Sequence, residues 1–279
     1  MAASPKVAVI IPTANQAREP ALTAIARARA TTAHLGAQVH VVESSGPGFR
    51  FSRSVNAGIR AFPDADAWVL LNDDCVMDDG WLEAMLDTAR AHPDAGLVGA
   101  VLRFPTGKLQ HAGGFMLQPG PFLAHYASEA APFYAIRHMW KARRRQQPYF
   151  GHYHRLRSRH RIDFVTGACM LITRACRQRI GDYDEEYEFS CEDVDYGMRC
   201  LASGQEVALA LDARGEHVSR ASGKSLQAQI ERSVTRFFQQ WPTPRVHQVT
   251  RAGGRRGYQH GRSSPDSCAC TATKAPQTA

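Results

Sequence analysis

Two groups of acidic side chains have the types and spacing that metal binding or acid–base chemistry would use. The first is the pair Asp73 and Asp74, which follows the apolar run 67–71. Because neighbouring carboxylates repel each other, the pair favours a compensating cation, and hard divalent cations prefer oxygen ligands. Aspartate also caps helix N-termini, and a helical pattern follows Gly80. The residues alone leave a metal site and a helix cap as equal alternatives.

The second group is the segment 182–195, which holds eight carboxylates. Glu192 and Asp193 lie where this segment enters a predicted helix. A carboxylate at a helix N-terminus stays ionised and oriented, as a general base requires. The alternative is a solvated acidic loop. His217, after the last predicted strand, becomes a candidate metal ligand only if a second ligand lies beside it.

Alternating strands and helices are predicted to position these groups. The first part of the chain predicts strands at 7–11, 39–42, 68–71 and 97–102, and helices at 18–35, 52–62 and 81–92. This alternation is typical of an α/β fold with parallel strands and helices on both faces of the sheet. Ligands bind such sheets at the carboxyl ends of the strands. Three predicted strand ends are polar here: 12–15, 43–45 and 72–74.

The second part of the chain predicts the strands 165–173 and 206–211 and the helices 174–179, 196–202 and 224–241. The residues after 242 are rich in Gly, Arg, Ser and Thr, which is typical of disorder. We therefore expect one domain over 1–242, divided into halves at 5–104 and 105–242, and a basic disordered tail over 243–279.

The net charge of +8 over 279 residues is unevenly distributed. The insert 130–162 has nine Lys or Arg and no acid, and the tail has six against one acid, so the rest of the chain is acidic. This pattern argues against a general nucleic-acid binder. The seven cysteines lack metal-ligand spacing, and the apolar runs are shorter than the roughly 20 residues of a membrane span. Together with the absence of a signal-peptide pattern at the first residues, this predicts a cytoplasmic protein with free thiols.

Eight motifs occur in the order that one enzyme family shows. They are VAVIIPTAN (7–15), VHVVESS (39–45), SVNAGI (54–59), WVLLNDDCVM (68–77), GKLQHAGG (107–114), DFVTGACMLITR (163–174), IGDYDEEYEFSCEDVDYGMR (180–199) and GEHVSRASG (215–223). With these motifs the chain resembles the family 2 glycosyltransferases over about residues 5–240. It is most similar to their rhamnosyltransferase-like branch, which builds surface polysaccharides. The resemblance implies the GT-A fold, a single Rossmann-like mixed sheet flanked by helices.

The resemblance also implies a role for each matching residue. The implied donor-binding residues are Pro12, Thr13, Glu43, Asn56 and Asp73. Glu43 stands where the family usually has Asp. The implied ligands of Mg²⁺ or Mn²⁺ are Asp74 and His217, although the motif reads NDD instead of DxD. Asp193 is the implied catalytic base and Glu192 the implied acceptor-binding residue, while His111 resembles a recurrent family histidine that shapes the site.

These assignments predict an inverting, metal-dependent transferase that moves a sugar from a nucleotide-sugar donor to a saccharide or lipid-linked acceptor. One base and one cation are sufficient for that reaction, because the cation stabilises the leaving diphosphate. The alternatives are a sugar-nucleotide nucleotidyltransferase, disfavoured because the loop 12–16 has no glycine, and a catalytically inactive GT-A binding protein. A glycosidase would need carboxylates on both sides of the bond.

The basic insert 130–162 admits four interpretations. It is a loop that closes over the donor diphosphate, a contact for an anionic acceptor or an anionic membrane, a solvated surface, or a nucleic-acid site. Nucleic acid is the least favoured, since no recognised binding motif accompanies the charge. The membrane interpretation would place the protein at the inner face of the cell membrane, because clustered Lys and Arg are attracted to anionic lipid.

Overall fold

A computed structural model describes residues 5–46, 49–117, 133–135, 149–153, 162–218, 227–242, 245–246, 248–249 and 258–260. The strands are β1 Val7–Thr13, β2 Gln38–Glu43, β3 Ala67–Leu71, β4 Cys75–Met77, β5 Ala95–Arg103, β6 Leu109–His111, β7 Gly114–Leu117, β8 Phe133–Ala135, β9 Tyr149–Tyr153, β10 Cys169–Thr173, β11 Glu206–His217 and β12 Tyr258–His260. The helices are α1 Glu19–Thr32, which continues as a 3₁₀ turn over Ala33–Leu35, α2 Phe51–Arg60, α3 Trp81–Ala91, α4 Arg174–Ile180, α5 Glu192–Ala202 and α6 Gln227–Gln240.

The main sheet is mixed, with the strand order β12-β11-β5-β10-β3-β1-β2. β1 pairs in parallel with β2 and β3, and β11 pairs in parallel with β5. β10 runs antiparallel to both of its neighbours, β3 and β5. Its first residue therefore lies at the same edge as the carboxyl ends of the parallel strands. This edge is where ligands bind open α/β sheets.

The core lies on both faces of this sheet. The central strands β1 and β3 are buried along their whole length, which explains their uninterrupted apolar sequence. One face packs against α1 and α3, whose largest buried side chain is Trp81. The other face packs against α2, α4 and α5, through Val55, Cys176 and Tyr196 among others. The prediction of a mixed α/β sheet flanked by helices is confirmed.

Two strands differ from their predicted bounds. β10 begins at Cys169, four residues later than predicted, because residues 163–168 form a loop whose backbone serves the candidate site. β11 continues to His217, well past the predicted end at residue 211. Its register against β5 shifts between Ala210 and Arg214, so an irregular segment interrupts the apolar pattern without ending the strand.

Several predictions concern residues that the structure describes only in part. Of the basic insert 130–162, β8, β9 and Ile162 are described, and β8 and β9 form a small antiparallel sheet with β7. In the tail, Tyr258–His260 pair in parallel with β11, which differs from the expected disorder at these residues. Most of the insert and of the tail, with Cys268 and Cys270, lies outside the described residues.

The remaining five cysteines are buried free thiols, as predicted. Within the described ranges, no helix combines the length and the apolar character that crossing a membrane requires.

Candidate active site

The ends of β1 and β3 meet at one carboxylate. The Thr13 hydroxyl donates a hydrogen bond of 2.5 Å to Oδ2 of Asp73, and the Arg18 guanidinium lies 2.7 Å from the same oxygen. Parallel pairing of β1 with β3 brings the two strand ends together. Two of the predicted donor-binding residues are thus in direct contact. Arg18 is a site residue that sequence reasoning missed, because it lies outside every polar strand end.

The end of β2 adds a second carboxylate to this edge. Glu43 is exposed, and its Oε2 accepts a hydrogen bond from the backbone N–H of Gln16 at 3.2 Å. The backbone N–H of Ser44 donates to the carbonyl of Thr13 at 2.9 Å, which holds the ends of β1 and β2 side by side. Pro12 is buried within β1. Thr13, Glu43 and Asp73 therefore form one polar edge, with Pro12 buried beneath it.

Asn56 does not belong to this edge. Its side chain is 1% exposed, and its amide forms hydrogen bonds of 2.9 Å with the backbone of Tyr183 in both directions. Its Nδ2 also donates to Glu185 at 2.9 Å. These bonds tie α2 to the acidic segment 182–195. The geometry therefore gives Asn56 a positioning role and disfavours the predicted contact with a donor.

Asp74 and His217 lie side by side. β4 begins directly after Asp74, and its antiparallel pairing with β11 places His217 opposite Cys75. Oδ1 of Asp74 lies 3.0 Å from Nε2 of His217, and both residues are largely buried. The second ligand that would make His217 a candidate metal ligand is thus present.

The strand β6 supports this pair and the loop 163–168. Gln110 contacts His217 through both ends of its amide, at 2.7 Å to Nδ1 and 3.0 Å to the carbonyl oxygen. Nε2 of the next residue, His111, accepts the backbone N–H of Thr166 at 3.1 Å. His111 therefore supports the loop 163–168 through a single hydrogen bond. Gln110 was missed, although it lies in the same motif.

The loop 163–168 in turn holds Asp193. The backbone N–H of Gly167 donates to Oδ2 of Asp193 at 3.1 Å, and the N–H of Val194 donates to Oδ1 at 2.8 Å. On the other side of the loop, the carbonyl of Ala168 accepts the N–H of Asn72 at 2.9 Å. Two consecutive loop residues, Gly167 and Ala168, thus connect the end of β3 to the predicted base.

Gly197 allows this contact. It lies one turn after Asp193 on α5, where an added Cβ would be 2.5 Å from Cβ of Phe164 and 2.9 Å from the carbonyl oxygen of Asp163. These distances are shorter than real carbon contacts, so only glycine permits the approach. Close packing of α5 against the loop 163–168 therefore requires a glycine at position 197.

Desolvation raises the pKa of both Glu192 and Asp193. Desolvation raises the pKa of Asp193, opposed by hydrogen bonds from backbone N–H groups and from Thr166. Desolvation and the neighbouring charge of Asp193 raise the pKa of Glu192, whose buried Oε2 has no hydrogen-bond partner among the described residues. Cys191, which precedes the pair, adopts a left-handed backbone at φ 71°.

Most other carboxylates of the acidic segment are neutralised by arginines. Asp184 pairs with Arg236 and Glu188 with Arg232, both from α6. The remaining ion pairs are Asp182 with Arg60 and Arg177, Glu185 with Arg53 and Arg60, and Asp195 with Arg199. In the part of the chain that the structure describes, neither Glu192 nor Asp193 has such a partner. The segment 182–195 is therefore not a uniformly solvated acidic loop.

The pair Asp74 and His217 fits a six-coordinate divalent cation. Two donor atoms at right angles, each about 2.1 Å from an ion such as Mg²⁺, lie about 3.0 Å apart, and the two atoms here are 3.0 Å apart. No set of three or more His, Cys, Asp or Glu suited to a metal occurs among the described residues. The protein would thus supply two ligands and leave the other positions to substrate and water.

The chain is similar to a known protein family and to several named proteins. The family model described as glycosyltransferase like family 2 matches residues 2–239. N-acetylglucosaminyl-diphospho-decaprenol L-rhamnosyltransferase of Mycobacterium tuberculosis is 31% identical over 150 residues, 53% of this chain and 46% of that protein. The O-antigen biosynthesis protein RfbC of Myxococcus xanthus is 31% identical over 159 residues, 56% of this chain and 11% of that protein.

The chain thus matches less than half the length of either relative. Among solved structures, GalNAc-T7 with UDP, GalNAc and Mn²⁺ superimposes with a TM-score of 0.52 at 10% identity, covering 88% of this chain and 49% of that one. This similarity supports the predicted GT-A fold. With a family match over most of its length, the chain belongs to glycosyltransferase family 2.

Proposed function

We propose that the protein is an inverting glycosyltransferase that uses a divalent cation and a nucleotide-sugar donor. The acceptor is a saccharide or a lipid-linked saccharide, and the product belongs to a surface polysaccharide. Family membership supports the transfer reaction. The names of the two relatives, a rhamnosyltransferase acting on a diphospho-decaprenol and an O-antigen biosynthesis protein, support the acceptor class and make L-rhamnose the first sugar to test.

The isolation of Asp193 from arginines is the observation that carries this proposal. Five of the other carboxylates in the acidic segment are paired with arginines, whereas Asp193 has backbone N–H partners and a raised pKa. A half-buried carboxylate with a raised pKa is a stronger base than an ordinary one, and its fixed orientation suits abstraction of a proton from an acceptor hydroxyl. Glu192, with one unpartnered buried oxygen beside it, is suited to bind that acceptor.

The donor would lie along the polar edge formed by β1, β2 and β3. Thr13, Asp73 and Glu43 offer hydroxyl and carboxylate groups to the ribose and base, and Arg18 balances the charge of Asp73. Asp74 and His217 would hold the cation next to them. When bound, the cation neutralises the charge that develops on the departing nucleoside diphosphate. The protein then needs no acid to protonate the leaving group.

A donor screen tests the proposal. The protein would be incubated with a panel of nucleotide sugars that includes nucleotide-activated L-rhamnose, with a polyprenyl-diphosphate-linked N-acetylglucosamine as acceptor. We expect release of nucleoside diphosphate together with a lengthened acceptor whose new linkage has the inverted anomeric configuration. Retention of configuration would contradict the role of Asp193 as sole base. Release of pyrophosphate from a sugar phosphate and a nucleoside triphosphate would indicate a nucleotidyltransferase instead.

Peripheral contact with an anionic membrane stays part of the proposal for the basic insert 130–162, since nine positive charges would be attracted to anionic lipid. Flotation with vesicles of anionic and of neutral lipid tests it. Binding to anionic vesicles alone is expected, and absence of binding to both would contradict the membrane contact.

A further inference from the structure

Gln110 lies at an irregularity in β6. Leu102 of β5 pairs with His111, but Arg103 pairs with Leu109 instead of Gln110. Gln110 is therefore the extra residue of a β-bulge, a feature that re-aims side chains beside functional sites. The bulge directs the Gln110 amide at His217, which lies 107 positions further along the chain.

The two contacts of Gln110 fix which nitrogen of His217 carries a proton. Nε2 of Gln110 is 3.0 Å from the carbonyl oxygen of His217 and must donate to it, because a carbonyl can only accept. The other end of the same amide, Oε1, is an acceptor and lies 2.7 Å from Nδ1 of the imidazole. Nδ1 must therefore carry a hydrogen.

The second imidazole nitrogen, Nε2, then faces the Asp74 carboxylate. It donates to that carboxylate when protonated, and its lone pair could bind a cation there when unprotonated. Nε2 of His217 is 3.3 Å from the amide nitrogen of Asn72, which can donate to it, and 3.0 Å from Oδ1 of Asp74. Metal-binding histidines usually donate their other ring N–H to a carbonyl or carboxylate, which fixes both tautomer and orientation. A neutral imidazole lone pair beside a carboxylate oxygen is a pair of acceptors that a cation would bridge.

We propose that Gln110 is a positioning residue that holds His217 as the Nδ1–H tautomer and turns Nε2 toward a divalent cation shared with Asp74. This inference deepens the proposed function and rests on it for the cation, but not for the tautomer. The bidentate amide contact does what a metal ligand's supporting partner must do. It selects the tautomer and prevents rotation of the ring.

The tautomer is tested without metal. Nitrogen-15 spectra of histidine-labelled protein would be recorded, with the His217 signals identified by their loss in His217→Gln. We expect Nδ1 of His217 to be protonated in the native protein, which is the state that the Gln110 contact selects. Gln110→Glu should keep this tautomer, because its carboxylate still accepts from Nδ1. Gln110→Leu should release it. An unprotonated Nδ1 in the native protein, or an Nδ1 that stays protonated to the same extent in Gln110→Leu, would overturn the inference.

Metal affinity is tested separately, by titrating Mn²⁺ in the presence of a nucleoside diphosphate. Loss of a supporting partner of this kind typically weakens binding by about 10- to 100-fold, and we expect this range for Gln110→Leu. The exposed Gln178→Leu on α4 is the matched control and should bind as the native protein does. Equal affinity of Gln110→Leu and native protein would refute the metal-directed role of Gln110. If native protein and His217→Gln both fail to bind Mn²⁺ while the tautomer is as inferred, the proposed metal function is refuted and the tautomer inference stands.

Discussion

The indole N–H of Trp241 donates a hydrogen bond of 2.8 Å to Oδ1 of Asp195, and both side chains are buried. Asp195 lies two residues after the proposed base, and its other oxygen binds Arg199 on the same helix. The residue that follows α6 is thus bonded to the first turn of α5. Together with the ion pairs of Arg232 and Arg236, this contact holds α6 against the acidic segment 182–195.

Replacing Trp241 by Phe should therefore destabilise the protein. The substitution leaves one oxygen of Asp195 buried without its donor, and an unsatisfied buried group costs about 1–3 kcal/mol. Urea denaturation would measure the loss in free energy of unfolding. Thr235→Ala, an exposed substitution on α6, serves as the control and should stay within about 0.5 kcal/mol of the native protein. An equal loss in both variants would argue against the buried bond.

Asp193→Asn should abolish most transfer while donor binding remains. Removing a general base typically lowers the rate by about 10²- to 10⁴-fold, and the amide can no longer take a proton. Transfer rate and donor affinity would be measured in parallel. Glu186→Gln removes an exposed carboxylate of the same segment and should leave the rate unchanged. Full activity in Asp193→Asn would refute its assignment as base.

Glu192 should make stability depend on pH in a defined direction. Its pKa in the folded protein is raised by desolvation and by the charge of Asp193. A group of this kind favours folding below its ordinary pKa, and that contribution is lost as pH rises through the folded pKa. Glu192→Gln avoids the loss, so its Tm should exceed that of native protein at alkaline pH and approach it under acidic conditions. Thermal unfolding across pH checks this, and the opposite trend would contradict the raised pKa of Glu192.

Chelation should suppress transfer, and added Mn²⁺ or Mg²⁺ should restore it. The reason is the pairing of Asp74 with His217, which fits two ligands of one divalent cation. Nucleoside diphosphate release with and without EDTA provides the measurement. Asp74→Asn should need more Mn²⁺ for the same rate, whereas Asp79→Asn, at an exposed position five residues on, should not. Activity indifferent to EDTA would refute the metal assignment.

Gly197→Ala should lower both stability and transfer rate, although alanine is the better helix former by about 1 kcal/mol. The added methyl group would meet Phe164 and the backbone of Asp163, so α5 must move away from the loop that binds Asp193. Thermal unfolding and transfer kinetics would be compared with native protein. A more stable and fully active variant would show that the close approach is unnecessary.

The sequence was most informative where chemistry and local pattern coincide. The alternation of apolar runs predicted the sheet and its helices, and the motif order identified the family. The strand-end rule placed Thr13, Glu43 and Asp73 together because parallel strands share an edge. These inferences need only short stretches of chain.

The missed residues act across long separations. Gln110 is 107 positions from His217, and Arg18 is 55 from Asp73, so neither partner is visible in a local pattern. Asn56 was expected at the donor because its motif suggests it, but three hydrogen bonds to the acidic segment occupy its amide. A residue that matches a family motif is therefore expected near the site, but the match does not predict which groups its side chain contacts.

Because β6 contains a bulge, the number of residues in this strand determines which side chains face the candidate site. Gln110 contacts His217, and the next residue, His111, contacts Thr166 in the loop 163–168. Both contacts form because one extra residue interrupts the pairing of β6 with β5. Deleting a single residue there would restore regular pairing and turn one of the two side chains away from its partner. Related proteins with the same two supports should therefore vary β6 by substitution and not by insertion or deletion.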